Sequence, residues 1–320
     1  MPSLTPANPL AHDLQHSAML KLAAHFHSLA TGASQVPSQS VASHLREQLR
    51  DPRLLDYHDR LIAGAGPLFT HFLASVPYIL EELCRVGVAL AELARQAPGA
   101  CRLLEVDAFD GSHGRALAGH SEGRVHSLTT SPNPANQAPF ERHADPQLSR
   151  FYPHSFLTLE PEPGAAGFDF IYEMAAFQFY SQARQQHVAH LKRFLKPGGL
   201  ALFLEKLNHD DPQEYLRRER VKDEGFKTRY FSAQEIAWKR QQMLEQMHNG
   251  QVTRAALLEA LHGQFRHVRL LWNSSNFYEF VASDDRERLD AFVAALGPVV
   301  QPDGFCFEAP EQLGGAHAHA

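Results

Sequence analysis

The chain has 320 residues, of which 44% are hydrophobic, enough for one large core or for a core domain with a smaller cap. A formal net charge of -6 gives no general attraction for a phosphate backbone, so we expect no nucleic-acid partner. Three widely spaced cysteines, none in a CxxC pair, fit a reducing compartment and offer no disulfide framework. No basic segment precedes an apolar run at the start, and no apolar stretch approaches the roughly 20 residues that cross a membrane. We therefore expect a cytoplasmic protein without a membrane partner.

The first 97 residues are predicted to form a leader followed by a helical cap. Residues 1–12 have the composition of a flexible leader. From Asp13 to Ala97, apolar residues recur at intervals of three and four, which is typical of helices. Small residues and prolines at Thr31–Ser40, and again at Ser75–Pro77, predict breaks between these helices.

From Cys101 onward, short apolar runs alternate with helical patterns, which predicts a mainly parallel sheet covered by helices. Two helices are predicted in this part, His113–Ala118 and Gln182–Leu195, and the second should end at Lys196-Pro197-Gly198-Gly199. The last two runs lack a long crossover and predict a terminal antiparallel strand. The predicted strands are Arg102–Val106, Arg124–Leu128, Ser155–Leu159, Phe168–Tyr172, Leu200–Leu204, Val268–Trp272 and Phe277–Ala282.

This pattern places one domain at residues 98–285, interrupted by a helical insertion at about 208–262. Helices are predicted there at Pro212–Arg220, Ala233–Met247 and Arg254–Leu261. Ser232 and Glu235 have the spacing of a capping box at the start of the second of these helices. Residues 286–320 are predicted to be a C-terminal helix and a flexible tail.

Four stretches carry a resemblance to a known family. They read LLEVDAFDGSHG at 103–114, VHSLTTSP at 125–132, FDFIYE at 168–173 and LKRFLKPGGLALFLE at 191–205. In this order they resemble the motifs of class I S-adenosylmethionine-dependent methyltransferases, and the last stretch is the most specific. The resemblance implies a Rossmann-like α/β fold, S-adenosyl-L-methionine as cofactor, and an enzyme that transfers a methyl group.

The first motif departs from the family's pattern of an acidic residue followed by alternate glycines. If Glu105 is the acidic residue, the glycine positions hold Asp107, Phe109 and Gly111. If Asp107 is the acidic residue, they hold Phe109, Gly111 and His113. The letters LLEV fit the first register better, and Gly111 is retained in both. Glu105, at the end of a buried strand, needs a partner, which is either the cofactor's amino group or a backbone amide.

The second motif departs as well, because Thr129 stands where the family often has a carboxylate for the ribose hydroxyls. A threonine can bond a ribose through a weaker, neutral interaction. Thr130 beside it, and Tyr172 at the end of the fourth strand, are further candidates for cofactor contact.

Ligands of an open parallel sheet bind at the carboxyl ends of its strands. Glu173 is therefore a candidate to orient a substrate hydroxyl or amine, or alternatively it caps the next helix. His209 is a candidate to remove a proton during methyl transfer. His187 and His190 lie three residues apart on a helix, but no third ligand has a suitable spacing, so we expect them to be solvated and predict no metal site.

Several aromatic and charged residues are candidates for substrate binding. Aromatic side chains of the helical cap, Phe69, Phe72 and Tyr78, would enclose a small substrate. In the stretch FKTRYF, Lys227 or Arg229 would pair with a substrate carboxylate beside Tyr230, unless this segment only covers the core. Glu205, directly after the predicted fifth strand, is a further candidate for substrate binding.

The sequence thus predicts methyl transfer to oxygen or nitrogen of a small molecule, by a monomer or a homodimer. The departures at Asp107, Phe109 and Thr129 support an alternative, a methyltransferase-like protein that no longer methylates and serves as an interaction module or partner subunit.

Overall fold

The computed structural model describes residues 10–33, 36, 38–161, 167–310 and 312–313. Most of the predicted leader (residues 1–9) and the tail from residue 314 onward lie outside the described residues.

Six helices precede the sheet within the described part of the chain. Pro52 and Pro67 each occupy a first turn, where a missing amide proton costs nothing, and Asp51 caps the helix that begins at Pro52. The helices are α1 (Ala11–Gln15), α2 (Ala18–Lys21), α3 (Ala23–Ala30), α4 (Pro52–Gly64), α5 (Pro67–Leu73) and α6 (Ile79–Gln96).

The strands form one sheet in the order β3-β2-β1-β4-β5-β7-β6-β8. Strands β1 to β5 are parallel to one another, and β7 runs antiparallel to β5 and β6. This arrangement confirms the predicted Rossmann-like class with its terminal antiparallel strand. The strands are β1 (Cys101–Val106), β2 (Val125–Thr130), β3 (Ser149–Tyr152), β4 (Phe168–Met174), β5 (Leu195–Lys206), β6 (His267–Ser274), β7 (Phe277–Ser283) and β8 (Gln312–Leu313).

The remaining helices connect and cover the strands. A π-helical segment, Arg240–Leu244, links α11 to α12, and the predicted capping box of Ser232 and Glu235 begins α11. These helices are α7 (Ser112–His120), α8 (Gln137–His143), α9 (Arg184–Lys192), α10 (Pro212–Gly225), α11 (Ala233–Lys239), α12 (Glu245–His248), α13 (Arg254–His262) and α14 (Arg286–Ala295). None of the described helices is both long and apolar enough to cross a membrane.

The sheet is buried on both faces. On one face α4 and α6 share a hydrophobic core with alternate residues of β4 and β5, such as Phe170 and Leu202. On the other face α9 and α13 pack on Ile171 and Phe203. The strand order reverses between β1 and β4. At such a switch point the carboxyl ends of parallel strands leave a crevice in which ligands bind.

The structure corrects three sequence predictions. The third strand is Ser149–Tyr152, and the predicted segment Ser155–Leu159 instead holds a 3-10 turn, because the Ser155 hydroxyl caps the amide of Leu157. The motif Lys196–Gly199 lies within β5, where an irregular register and a left-handed Gly198 absorb the extra residues. His187 and His190 are buried, with Nε2 atoms 2.6 Å from Asp13 Oδ2 and 3.0 Å from the Phe156 carbonyl oxygen respectively.

Candidate functional site

The loop after β1 has a strained backbone at the switch point. Asp107, Phe109 and Gly111 have φ angles of 47°, 55° and 67°, although only one of them is glycine. A left-handed conformation costs a non-glycine residue on the order of 1–3 kcal/mol and is often found at functional sites. Gly111 is required here for a second reason, since a Cβ atom would lie 2.4 Å from Thr129 Oγ1.

The carboxylates of this loop bond within the protein. Glu105 accepts hydrogen bonds from the Gly114 amide at 2.8 Å and from Thr129 Oγ1 at 2.7 Å. Of the two partners considered for Glu105, the structure thus contains the backbone amide. Asp107 accepts from Thr130 Oγ1, Ser155 Oγ, the Phe156 amide and the Tyr180 hydroxyl. Burial raises the pKa of Asp107 despite these bonds.

Three polar residues that follow β2 border a narrow cavity, called here the loop cavity. Asn136 Nδ2 donates to Ser131 Oγ at 3.0 Å, and Asn133 Oδ1 accepts from the Ala135 amide. The other amide atoms, Asn133 Nδ2 and Asn136 Oδ1, are buried without a hydrogen-bond partner among the described residues. Because unpaired buried polar atoms are costly, this donor and acceptor are suited to a polar ligand.

A second cavity, called here the lysine cavity, lies beside the first. The two share walls formed by Phe26, Leu68, Phe109 and Phe179. Further apolar wall residues include Phe72, Val76 and Phe277, together with Ala175, whose φ of 56° is again left-handed.

Four buried lysines line this second cavity. Lys206 and Lys222 both contact Glu219 Oε2, at 3.0 and 2.5 Å, and Lys227 Nζ lies 3.1 Å from Asp223 Oδ1. Lys239 Nζ is buried without a hydrogen-bond partner among the described residues and lies 3.1 Å from the centre of the Phe231 ring.

Burial shifts the protonation of this cluster. It lowers the pKa of Lys239 to about 7, assisted by the positive charge of Lys227. Burial and Lys222 lower the pKa of Lys227 to about 8, against the attraction of Asp223. Burial alone would raise the pKa of Glu219, but Lys206 and Lys222 outweigh it, and the pKa falls below its usual value.

His71 also lines the lysine cavity. Burial, together with the charge of Lys239, holds the pKa of His71 well below its ordinary value. Its imidazole is therefore neutral near pH 7 and has a nitrogen lone pair that can accept a proton.

The residues predicted at the ends of β4 and β5 lie in three different environments. The Tyr172 ring is buried in the core beneath α6, 5.1 Å from the His113 ring. Glu173 caps the following turn, its Oε1 accepting from the amides of Ala176 and Phe177. Glu205, on the same sheet face as Glu173, is held by Arg184 through two hydrogen bonds of 2.9 and 3.2 Å.

The pKa of Glu173 is raised well above its usual value by burial and by Glu205. Its Oε2 has no hydrogen-bond partner among the described residues. That Glu173 orients a substrate stays a prediction. Its hydrogen bonds to the amides of Ala176 and Phe177 fit the alternative, in which it caps the following turn.

The other predicted residues are only partly brought together. Phe72 and Lys227 line the lysine cavity, whereas His209 borders a separate open groove between α10 and the π-helical segment. Phe69 packs against Phe72 and Phe109 in the core. Arg229 donates to the Tyr78 hydroxyl at 3.3 Å, and Tyr230 bonds His44.

Sequence reasoning missed several cavity residues. Asn133 and Asn136 follow β2 directly, so the strand-end rule could have found them. Lys222 and Lys239 have the i, i+3 and i, i+4 spacings to acidic residues that usually mark surface pairs, and they gave no signal of burial.

No family profile matches the chain, and no curated protein matches it. Solved structures with a similar fold include an O-methyltransferase family protein from Burkholderia thailandensis, at 12% identity and a TM-score of 0.41, covering 61% of this chain and 55% of that protein. The cyclopropane synthase MmaA2 from Mycobacterium tuberculosis aligns at 15% identity and a TM-score of 0.43, covering 82% of this chain and 84% of the synthase. A possible exported protein from Bordetella parapertussis aligns at 18% identity and a TM-score of 0.45, covering 86% of this chain and 98% of that protein. The chain spans little more than half the length of the first of these.

Proposed function

We propose that this protein transfers a methyl group from S-adenosylmethionine to an oxygen or nitrogen of a small molecule enclosed in the lysine cavity. One observation carries the proposal. The loop cavity and the lysine cavity lie side by side at the carboxyl ends of β1, β2, β4 and β5. The loop cavity is bordered by side-chain amide atoms that have no partner among the described residues, and the exposed surface of the lysine cavity is mainly apolar.

The polar lining of the loop cavity is where we place the cofactor. Asn133 Nδ2 and Asn136 Oδ1 can donate to and accept from ribose hydroxyls, in place of the carboxylate that the resemblance leads one to expect after β2. The backbone of Asp107–Gly111 would pass beneath the cofactor in its left-handed conformation. When bound, S-adenosylmethionine supplies an electrophilic sulfonium methyl.

The protein's own residues position the acceptor and exclude water. Displacement at a sulfonium depends mainly on holding the nucleophile in line, to which an enclosed apolar wall is suited. The neutral His71 can accept the proton of a hydroxyl or an ammonium. Orientation of the acceptor by Glu173 stays a prediction from the sequence, and proton removal by His209 is the alternative to proton removal by His71.

Calorimetry with S-adenosylhomocysteine tests the placement of the cofactor. Asn133→Ala combined with Asn136→Ala should weaken binding by about tenfold or more, because it removes two hydrogen-bonding groups worth about 1 kcal/mol each. Gly111→Val should weaken binding to a similar extent by crowding the loop. Asn208→Ala and Gly99→Val are matched controls, since both positions lie away from the loop cavity.

Unchanged affinity in folded variants would show that the cofactor is placed wrongly. Failure of the wild-type protein to bind either form of the cofactor would favour the second candidate, an interaction module. One observation supports that candidate. The Asp107 carboxylate and the hydroxyls of Thr129 and Thr130 all bond within the protein.

A further inference from the structure

The lysine cavity carries an excess of positive charge. Its lining includes four ammonium groups, while the carboxylates that contact them belong to two residues, Glu219 and Asp223. Asp223 is also shared with Arg240, whose Nη2 lies 2.6 Å from its Oδ2. A buried charge without a partner costs much folding free energy. The surplus lysines of this wall must therefore either lose a proton or bind an anion.

Among the described residues Lys239 has the Phe231 ring as its cation–π partner but no carboxylate in contact. It is 7% exposed, its Nζ has no hydrogen-bond partner among the described residues, and it lies at the junction of α11 with the π-helical segment. π-Helical turns within helices are frequently found at functional sites. A purely structural lysine at this position would be expected to reach a carboxylate or the solvent.

Lys239 and His71 also border a neighbouring hollow, lined by His25, Tyr230 and Trp238 among others. The same two side chains thus contribute to the walls of both spaces.

We infer that the methyl acceptor is a hydroxy or amino acid with an apolar body, its carboxylate bound by Lys239 and Lys227 and its body packed against Phe72, Phe109 and Phe277. The hydroxyl or amine takes the methyl group and loses its proton, and the carboxylate serves only for binding. That the acid accepts a methyl group rests on the proposed function. The binding of an acid in this cavity is independent of methyl transfer. A carboxylate provides the acceptor oxygens that the lysine Nζ atoms lack, and the aromatic wall provides the apolar contact.

Matched pairs of probes separate the acid from its body. Phenylacetate, 4-phenylbutyrate and 1-naphthylacetate are each compared with the alcohol of the same carbon skeleton, by calorimetry and by the shift in melting temperature. We expect at least one acid to bind tenfold or more tightly than its alcohol. If no acid of the series binds more tightly than its alcohol, the inference is wrong.

Lys239→Met and Lys227→Met should each remove most of the preference for the acid while keeping binding of the alcohol. Lys192→Met is the control, since Lys192 pairs with Asp284 and packs on Phe265 at the other face of the sheet. An equal preference for acid in the wild type and in both cavity variants would overturn the assignment of these lysines.

Binding of the acid should also take up a proton near pH 8, because the carboxylate stabilises the charged form of Lys239. Titrations in two buffers of different ionisation enthalpy measure this uptake, which should fall in Lys239→Met. The charged or titratable groups that face Lys239 are Lys227, Asp223, Glu235, His25 and His71. Acid binding without proton uptake, or with the same uptake in the variant, would contradict the role of Lys239.

The two proposals fail separately. If S-adenosylhomocysteine binds and the acids do not, methyl transfer stands and the acidic acceptor is wrong. If the acids bind and the cofactor does not, the carboxylate site stands and methyl transfer is wrong.

Discussion

At the scale of single residues, Lys239 shows how burial changes the chemistry of an amine. A lysine ordinarily keeps its proton to about pH 10, whereas burial brings the pKa of Lys239 to about 7. The protein therefore gives up part of its folding free energy to hold this group in the cavity wall, as is often found where a group serves binding or catalysis.

The effect of Lys239 on stability has a definite sign. Between pH 7 and 10 the unfolded chain holds a proton on this lysine that the folded chain has lost, so the free energy of unfolding rises with pH by up to about 1.4 kcal/mol per unit. Lys239→Met lacks this dependence. We expect the variant to be more stable than the wild type at pH 6.5, with the difference shrinking toward pH 9.5.

Urea denaturation at pH 6.5, 8 and 9.5 measures these differences. A constant difference between the variant and the wild type at all three values would show that Lys239 keeps an ordinary pKa.

Two histidines can be separated by their effect on turnover. His71 borders the lysine cavity, whereas His209 borders the outer groove, where its Nδ1 accepts from the Asp211 amide. We expect His71→Ala to slow the methyl-transfer step by roughly 10²–10⁴-fold, and His209→Ala to leave it nearly unchanged.

Single-turnover kinetics across pH 6 to 9 checks both expectations, with the melting temperature as a control for folding. If His209→Ala slows methyl transfer and His71→Ala does not, the result supports the proton-removing role that the sequence predicts for His209.

At the scale of elements, α6 packs so closely that it requires a glycine. A Cβ atom on Gly87 would lie 2.1 Å from the buried Tyr57 ring of α4. Alanine within a helix is ordinarily favoured over glycine by about 1 kcal/mol, but here overpacking should dominate.

We therefore expect Gly87→Ala to lower the free energy of unfolding by about 1–3 kcal/mol. Gly64→Ala in α4 is the matched control, because a Cβ atom there would have no other atom within 4 Å, and the change should be neutral or stabilising. Chemical denaturation of both variants decides between packing and helix propensity.

The strand and helix pattern of the central domain could be predicted because buried parallel strands are continuous apolar runs separated by turn residues. The third strand was misplaced because SRFY at 149–152 is a short edge strand, while the more apolar segment after it is capped by Ser155. The turn expected at Lys196–Gly199 became a β-bulge, since a proline and glycines also fit an irregular strand.

The candidate site was harder to predict, because its residues converge from distant parts of the chain. Phe72 and Lys227 were expected near a substrate and do line the cavity. The pairing of Lys206 and Lys222 on one carboxylate depends on how α10 lies against β5, which no local spacing encodes. By contrast, the left-handed Asp107, Phe109 and Gly111 occupy the three positions that the first register of the motif assigns to glycine.

At the scale of the whole molecule, the first helices cover the cavities. Met19 of α2 and Phe26 of α3 form part of the walls, and the Phe26 ring packs edge-on against Phe179 at 5.4 Å. These helices are short, and short helices depend on tertiary contacts for stability.

Ligand binding should therefore slow exchange of backbone amide hydrogens in α2, α3 and α12, which supplies Met247 to the wall. Hydrogen exchange followed by mass spectrometry, with S-adenosylhomocysteine and a bound acid, measures this protection. Helix α14, which packs on α6 and β7 away from the cavities, should not change. Equal protection throughout the chain would indicate general stabilisation and no covering role.

Helix α6 has a further consequence during synthesis of the protein. Almost all of α6 is buried, in part against strands β5 and β7, which are translated much later. About 180 residues separate its end from β7, and a ribosome adding about 5–20 residues per second needs roughly 10–40 s to make them. Throughout that interval the sheet that covers the apolar face of α6 is incomplete, so this helix is a binding site for a chaperone that acts on the nascent chain.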